Sequence, residues 1–242
     1  MKKIICSVFT AAMASTAMAQ SPIGTFSITP KIGTNISNWS NNELYTNLDS
    51  ELSSAQHTLK SKSKAGLVVG VDVQYQATDV IALSLGAEYS RQGYRYSDYE
   101  SKTSSTTEYD VYEGYSDQHH NVDYLNVPLM IKGYIAQGLA IGAGVQAGFV
   151  LDNKYKWETS TFKQFPDGNR EYSTTTEKHE QEYTSKSLNA VDFSIPLQVS
   201  YEYMNVVVAA TYNIGVTSAL KDPLPKSRNN VIKFTVGYKF DL

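Results

Sequence analysis

The residues of this chain best placed to do chemistry are eight charged side chains that fall on the polar side of segments with strictly alternating character: Lys31, Asp72, Glu88, Lys132, Asp192, Glu202, Lys233 and Lys239. Four are cations and four are anions. Gathered on one enclosed face, they have two uses. They can pair and fill an interior, or they can line a narrow polar conduit for protons or small solutes. The first is the expectation, because charges in a confined space must pair with each other or with trapped water. Asp72, Lys132 and Lys239 are expected toward one end of that interior, and Glu88, Asp192 and Lys233 toward the other.

Other reactive residue types are scattered. His57, His119, His120 and His179 all fall in long polar stretches, where they read as solvated loop residues. Asp117 and Glu180 stand near them, but no ligand spacing recurs, so no metal site is expected. A lipid hydrolase built on serine, histidine and carboxylate needs its histidine held on the wall. No histidine falls in a strand core, so no catalytic residue is assigned and neither an enzyme nor a cofactor is expected. The stretch 97–121 sets Asp98, Glu100, Glu108, Asp110, Glu113 and Asp117 against Lys102, with Tyr99, Tyr109, Tyr112 and Tyr115 interleaved. It has the makings of a site for a cationic partner. The simpler expectation is a hairpin extending a wall, since Thr, Ser and Tyr at alternating positions suit strands. Trp157, Phe162 and Phe165 around Asp167-Gly168 suggest a second hairpin.

These side chains must be positioned by strands, because the dominant signal in the sequence is a period of two. In 191–201, Val191, Phe193, Ile195, Leu197, Val199 and Tyr201 share one face while Asp192, Ser194, Gln198 and Ser200 share the other. Seven more segments repeat it: 25–37, 66–75, 80–91, 124–133, 138–152, 206–217 and 230–242. Their connections alternate. Those at 76–79, 135–137 and 204–205 are short, whereas those near 38–65, 97–121, 153–187 and 218–229 are long and polar. This is the layout of an all-β, eight-stranded antiparallel up-and-down transmembrane barrel, with short periplasmic turns and four long external loops. Pro128 and Pro196 sit within strands and cannot donate to a ladder, so each predicts a local break.

Parity alone leaves a soluble lipocalin-like barrel with an apolar interior open. Three features favour lipid outside. The polar face is built from small residues such as Gly142, Gly144, Gly148, Ser84 and Gly86, as a narrow lumen requires. Aromatics gather at the ends of the apolar face, where interfacial girdles form: Tyr75, Tyr134, Tyr201, Tyr203, Tyr238 and Phe240 near the short turns, and Trp39, Tyr89 and Phe149 near the long loops. The last strand carries Gly237, Phe240 and Leu242 in a pattern that resembles the C-terminal signal read by the barrel-assembly machinery. Residues 1–19 read as a secretory signal peptide, with Lys2 and Lys3, a short apolar run and Ala17-Met18-Ala19. Residues 20–242 then form the barrel domain. Cys6 is the only cysteine, so the exported part has no thiol chemistry. A formal net charge of -3 speaks against nucleic acid as a partner.

The strand blocks resemble those of the PorT-like outer-membrane β-barrel family of the Bacteroidota. The resemblance rests on Pro30-Lys31-Ile32-Gly33-Thr34-Asn35, Glu88-Tyr89-Ser90-Arg91-Gln92-Gly93-Tyr94, Tyr124-Leu125-Asn126-Val127-Pro128-Leu129 and Gly142-Ala143-Gly144-Val145-Gln146-Ala147-Gly148. Tyr212-Asn213-Ile214-Gly215 and Phe234-Thr235-Val236-Gly237-Tyr238 complete it. It implies a fold and an outer-membrane location and assigns no activity to any residue. The expected partners are outer-membrane lipid, the assembly machinery during biogenesis, and an extracellular or envelope protein met through the loops. The expected role is structural, or binding at the cell surface.

Overall fold

The computed structural model describes residues 21–50, 56–182, 187–222 and 224–242. The segment read as a signal peptide lies outside the described residues. Thirteen strands occur among those described: β1 (Phe26–Trp39), β2 (Glu43–Asn47), β3 (Gln56–Lys60), β4 (Lys62–Gln76), β5 (Ile81–Arg95), β6 (Tyr99–Ser105), β7 (Asp110–Ala136), β8 (Leu139–Gln164), β9 (Arg170–Gln181), β10 (Val191–Tyr203), β11 (Val206–Gly215), β12 (Asn229–Tyr238) and β13 (Phe240–Asp241).

Eight of them close a ring. The antiparallel order β7-β5-β4-β1-β12-β11-β10-β8 returns to its start through a β7–β8 pairing. These eight correspond one to one with the alternating segments of the sequence. Closure leaves no unpaired edge in this part of the sheet. Short turns join strands at one end. The tightest is Met204-Asn205, whose φ values of 47° and 68° fit a two-residue hairpin turn matched to strand twist.

Three in-wall prolines interrupt the ladder. The β5–β7 register passes from Leu85↔Leu129 to Glu88↔Asn126, skipping the pair that would involve Pro128. The β8–β10 register passes from Ser194↔Gln146 to Leu197↔Ala143, skipping Pro196. Near Pro30 the last strand divides into β12 and β13, both paired to β1 in one register. A missing N–H donor explains each gap.

Burial is inverted relative to a water-soluble barrel. Outward residues are apolar and exposed, as at Leu129 (53%) and Ile131 (60%), while inward residues are polar and buried, as at Glu88 (1%) and Asn126 (1%). A lipid solvent makes this arrangement favourable and water does not.

Two strands far exceed what a membrane needs. β7 has 27 residues and β8 has 26, against about 9–11 for a tilted crossing. Their outer halves stay paired up to Asp110↔Gln164. There β6 joins β7 and β9 joins β8, so the second and third loops fold as hairpins. The β8–β9 turn uses Gly168 at φ 86°. The free edge of β6 is covered by the first loop: the Ser50 N–H donates to the Lys102 carbonyl (2.9 Å) and the Lys102 N–H to the Leu48 carbonyl (2.9 Å).

Candidate functional site

The inward face carries three stacked environments, and the first is the ion-paired lumen. Lys31 on β1 reaches Asp72 on β4 at 2.8 Å and Glu88 on β5 at 3.1 Å. Lys233 on β12 contacts Glu88 as well, and Lys239 contacts Glu202 on β10. Lys233 also donates to Gln146 Oε1 (3.3 Å), and Gln146 donates to Ser194 (3.2 Å). All eight charges predicted for the interior do face it. Two of them stand outside the ion pairs among the described residues. Lys132 donates instead to the neutral Gln74 Oε1 at 3.1 Å. Asp192 lies toward the long loops, beside Tyr124. The small inward residues are what let these chains meet. At Gly144 an added Cβ would lie 2.0 Å from the Leu129 carbonyl oxygen.

Above the ion pairs, the long-loop mouth is closed by a buried aromatic cluster. Trp39, Tyr94, Tyr96, Val122 and Tyr124 pack with Leu59, Leu188 and Ala219. Trp39 stacks obliquely on Tyr94 (5.2 Å) and meets His120 edge-on (5.4 Å), while Tyr94 meets His120 at 5.2 Å. His120 is fully buried here. Burial pushes its pKa down to about 4, although a hydrogen bond with Asn153 pulls the other way. The cluster draws on the ends of β1 and β5, the middle of β7 and three of the connecting loops, the last two of which are tied by a Leu188↔Leu220 bridge.

Beyond the cluster lies a cleft of about 750 Å³ between the β2–β3 hairpin and the projecting strands. Leu48, His57 and Leu59 face Tyr99, Tyr115, Phe162 and Tyr172, with Asp98 and Glu100 on its rim. Tyr99 stacks on Tyr115 (4.7 Å, 7°), and Phe162 lies between Tyr112 (5.2 Å) and Tyr172 (5.1 Å). Arg170 on β9 grips Glu100 on β6 through two contacts of 2.8 and 3.2 Å and covers the Phe162 ring at 4.6 Å. The projecting sheet is thereby curled, with its first and last strands joined. Tyr172 is 57% exposed, a ring face open to solution.

Of the predicted girdle aromatics, Tyr75, Tyr203, Tyr238, Phe240 and Phe149 point outward and are exposed, and Tyr89 and Tyr201 point outward half-buried. Two are corrected. Trp39 continues the inward set of β1 that includes Asn35 and Ser37, and it belongs to the aromatic cluster rather than the lipid face. Tyr134 shares the inward parity of Lys132, and its hydroxyl accepts from Gln74 Nε2 at 3.0 Å. A third correction concerns His120, read from the sequence as a solvated loop residue. The β7 strand runs through that stretch and turns the ring inward. Gly237, Phe240 and Leu242 lie at the last strand's end, where Phe240 pairs with Ile28. Among the described residues no group of three or more His, Cys, Asp or Glu side chains is arranged to hold a metal.

A family model for an outer membrane protein beta-barrel domain matches residues 18–221. No curated protein matches the chain. Among solved structures it is similar to Ail, the attachment invasion locus protein of Yersinia pestis, at 11% identity over 90% of this chain and 100% of that one, with a TM-score of 0.39. It is similar to Neisserial surface protein A at 12% identity over 89% and 97% of the two chains, with a TM-score of 0.40. It is also similar to the outer membrane protein OprG from Pseudomonas aeruginosa at 12% identity over 93% and 99%, with a TM-score of 0.36.

Proposed function

We propose that this chain, which belongs to the outer membrane protein beta-barrel domain family, is a non-conducting barrel of the outer membrane that acts through the cleft outside it. The observation that carries this reading is the closed path beneath the cleft. The lumen is bridged by Lys233, Glu88, Lys31 and Asp72, and its mouth is covered by Trp39, Tyr94 and His120. Over half of β7 and β8, by contrast, is spent on ordered structure beyond a membrane's thickness. Placing that structure outside the cell follows from the short turns facing the periplasm. Export by the segment ending at Ala19 and insertion through the Gly237–Leu242 strand fit the same reading. The blocks shared with PorT-like barrels of the Bacteroidota support a narrower affiliation.

The cleft's chemistry favours a neutral, polyhydroxylated ligand such as a saccharide over a cation. Glu100, its most prominent acid, is already neutralised by Arg170. Asp98 is left as the one other acid of the lining, and the flat rings and hydroxyls that make up most of the rest suit stacking against sugar C–H faces with hydrogen bonds at the edge. The test is a glycan array probed with the intact protein in detergent micelles, beside planar-bilayer recordings of the same sample. Saccharide binding lost in Tyr172→Ala and a silent bilayer are expected. A steady current abolished by changing Glu88 would overturn the reading.

A further inference from the structure

The inward charges divide unevenly along the lumen. Toward the short turns, Lys31, Lys132, Lys233 and Lys239 meet four carboxylates, Asp72, Glu88, Glu202 and, at the barrel's end, Asp241. The remaining inward carboxylate, Asp192, stands apart at the floor of the aromatic cluster, beside Tyr124. It is 8% exposed, and among the described residues no cation pairs with it.

Oxygen atoms collect around Asp192 without donors to match. In register, Gly148 stands between Asn126 on β7 and Asp192 on β10. A Cβ added to that glycine would lie 2.7 Å from Asp192 Oδ1 and 2.9 Å from Asn126 Oδ1, so the two oxygens converge over a position that no side chain fills. The Tyr124 hydroxyl stands between Asp192 and Asn229. Asp192 Oδ2, the Tyr124 hydroxyl oxygen and Asn229 Oδ1 are all buried and have no hydrogen-bond partner among the described residues. Nearby amide donors are committed elsewhere: Asn229 Nδ2 donates to Gln92 Oε1 (2.6 Å) and Gln92 Nε2 to the Ser90 hydroxyl (3.0 Å).

We propose that Asp192, Asn126, Tyr124 and Asn229 together hold a dehydrated alkali cation. A buried charge is tolerated when it is paired or bound to a metal ion, and Asp192 has no side-chain counter-ion. Ligands that are all oxygen suit a hard cation. One carboxylate compensates one positive charge, which favours a monovalent ion over calcium or magnesium, whose sites gather more charge. The ion would be a fixed part of the barrel, with the Trp39 cluster above it and the Lys233–Glu88 pair below. The site owes nothing to the external cleft, and its failure leaves the cleft reading untouched.

Urea unfolding of the intact barrel in vesicles tests this, in sodium chloride and in potassium chloride, each against N-methyl-D-glucamine chloride at equal concentration. At a hundred times its dissociation constant, the bound ion raises the folded-to-unfolded ratio about a hundredfold, so the midpoint should climb with one or both alkali salts. Asp192→Asn should abolish the climb while retaining the heat-modifiable gel migration of a folded barrel. A second variant guards against misfolding of the first. Tyr124→Phe keeps the carboxylate and removes one ligand, so the climb should persist but require more salt. Equal midpoints of the unaltered protein in all three salts would mean that the Asn126 amide turns its nitrogen to Asp192 and no ion is held. That result, or an unchanged salt dependence in either folded variant, overturns the proposal.

Discussion

Replacing Glu88 by Gln gives the sharpest test of how dry and closed the lumen is. Glu88 is 1% exposed and is the shared partner of Lys31 and Lys233. The amide keeps the shape and removes the charge, so two ammonium groups lose their shared counter-charge together. Lys31 retains the Asp72 carboxylate at 2.8 Å, but Lys233 is left with neutral acceptors only, the new amide oxygen and Gln146 Oε1 at 3.3 Å. Breaking a buried pair from one side costs about 3–5 kcal/mol, which is a shift of roughly 10²–10⁴ in the unfolding equilibrium. Reversible urea unfolding in lipid vesicles, followed by the fluorescence of Trp39 and Trp157, reads this directly. The double variant Glu88→Gln with Lys233→Met should recover most of the loss, since the uncompensated cation goes with the carboxylate. A single variant that loses less than about 1 kcal/mol, the level of an exposed pair, would mean that the lumen is hydrated like bulk water. The sealed-barrel argument would then fail with the energetic one.

Three further outcomes follow from the same geometry. The pKa of His120 is lowered from the ordinary value to about 4 in the folded state, so the unfolded or opened state binds the proton more readily. The stability of the aromatic cluster is therefore full above about pH 6.5 and drains away as pH falls toward 4. Acrylamide quenching of Trp39 in a Trp157→Phe background should rise over that window, and the rise should vanish in His120→Phe. Gly144→Ala places a Cβ 2.0 Å from a backbone carbonyl oxygen. Backbone atoms of a closed ring cannot step aside, so refolding yield should drop and the urea midpoint should fall by the equivalent of about 1–3 kcal/mol; an unchanged midpoint refutes the packing argument. Leu129→Arg, on the outward face at 53% exposure, should cost about 2–4 kcal/mol near the bilayer midplane. The same change at the solvent-facing Tyr172 should cost little, and equal costs at the two sites would contradict the assignment of the lipid face.

Much of the wall was legible in the sequence, because a strand with lipid on one side and packed side chains on the other has only one way to alternate. Val191 to Tyr201 and Leu139 to Leu151 state their faces residue by residue, and Pro128 and Pro196 announce the gaps that the ladder shows. Legibility stops where the solvent changes. Past Asp123 and Asp152 the lipid is gone from one face of β7 and β8, and the other mixes rings such as His120 and Phe162 with polar residues, so alternation fades and the strands read as loops. Trp39 and Tyr134 were misplaced by residue type. Each is an aromatic near a strand end, which suggests an interface, but the parity of Lys31, Asn35 and Ser37, and of Met130 and Lys132, already pointed both inward. The cleft was legible only in part: the interleaved acids and tyrosines of 97–121 marked one wall of it, and nothing marked its assembly. Its closing contact joins Glu100 to Arg170, and its far wall comes from Leu48 and Leu59. Contacts across such separations depend on how three loops curl together, which no local pattern records.

The ion pairs also explain why the barrel can be narrow and still fold around so many charges. A lumen of uncharged small residues would leave voids, and a lumen of large apolar residues would forfeit the distinction between its two faces. Long lysines reaching across to carboxylates on other strands fill the width and tie strands that are not neighbours, as Lys233 on β12 does with Glu88 on β5. Moving an ion through that layer would require Lys31, Asp72, Glu88 and Lys233 to separate together in a medium where an unpaired charge costs several kcal/mol. The cost recurs for every ion that passes. On the proposed reading, a wall organised in this way holds its shape at the expense of permeability, and the chemistry is left to the cleft whose rings include Tyr99, Tyr115 and Tyr172.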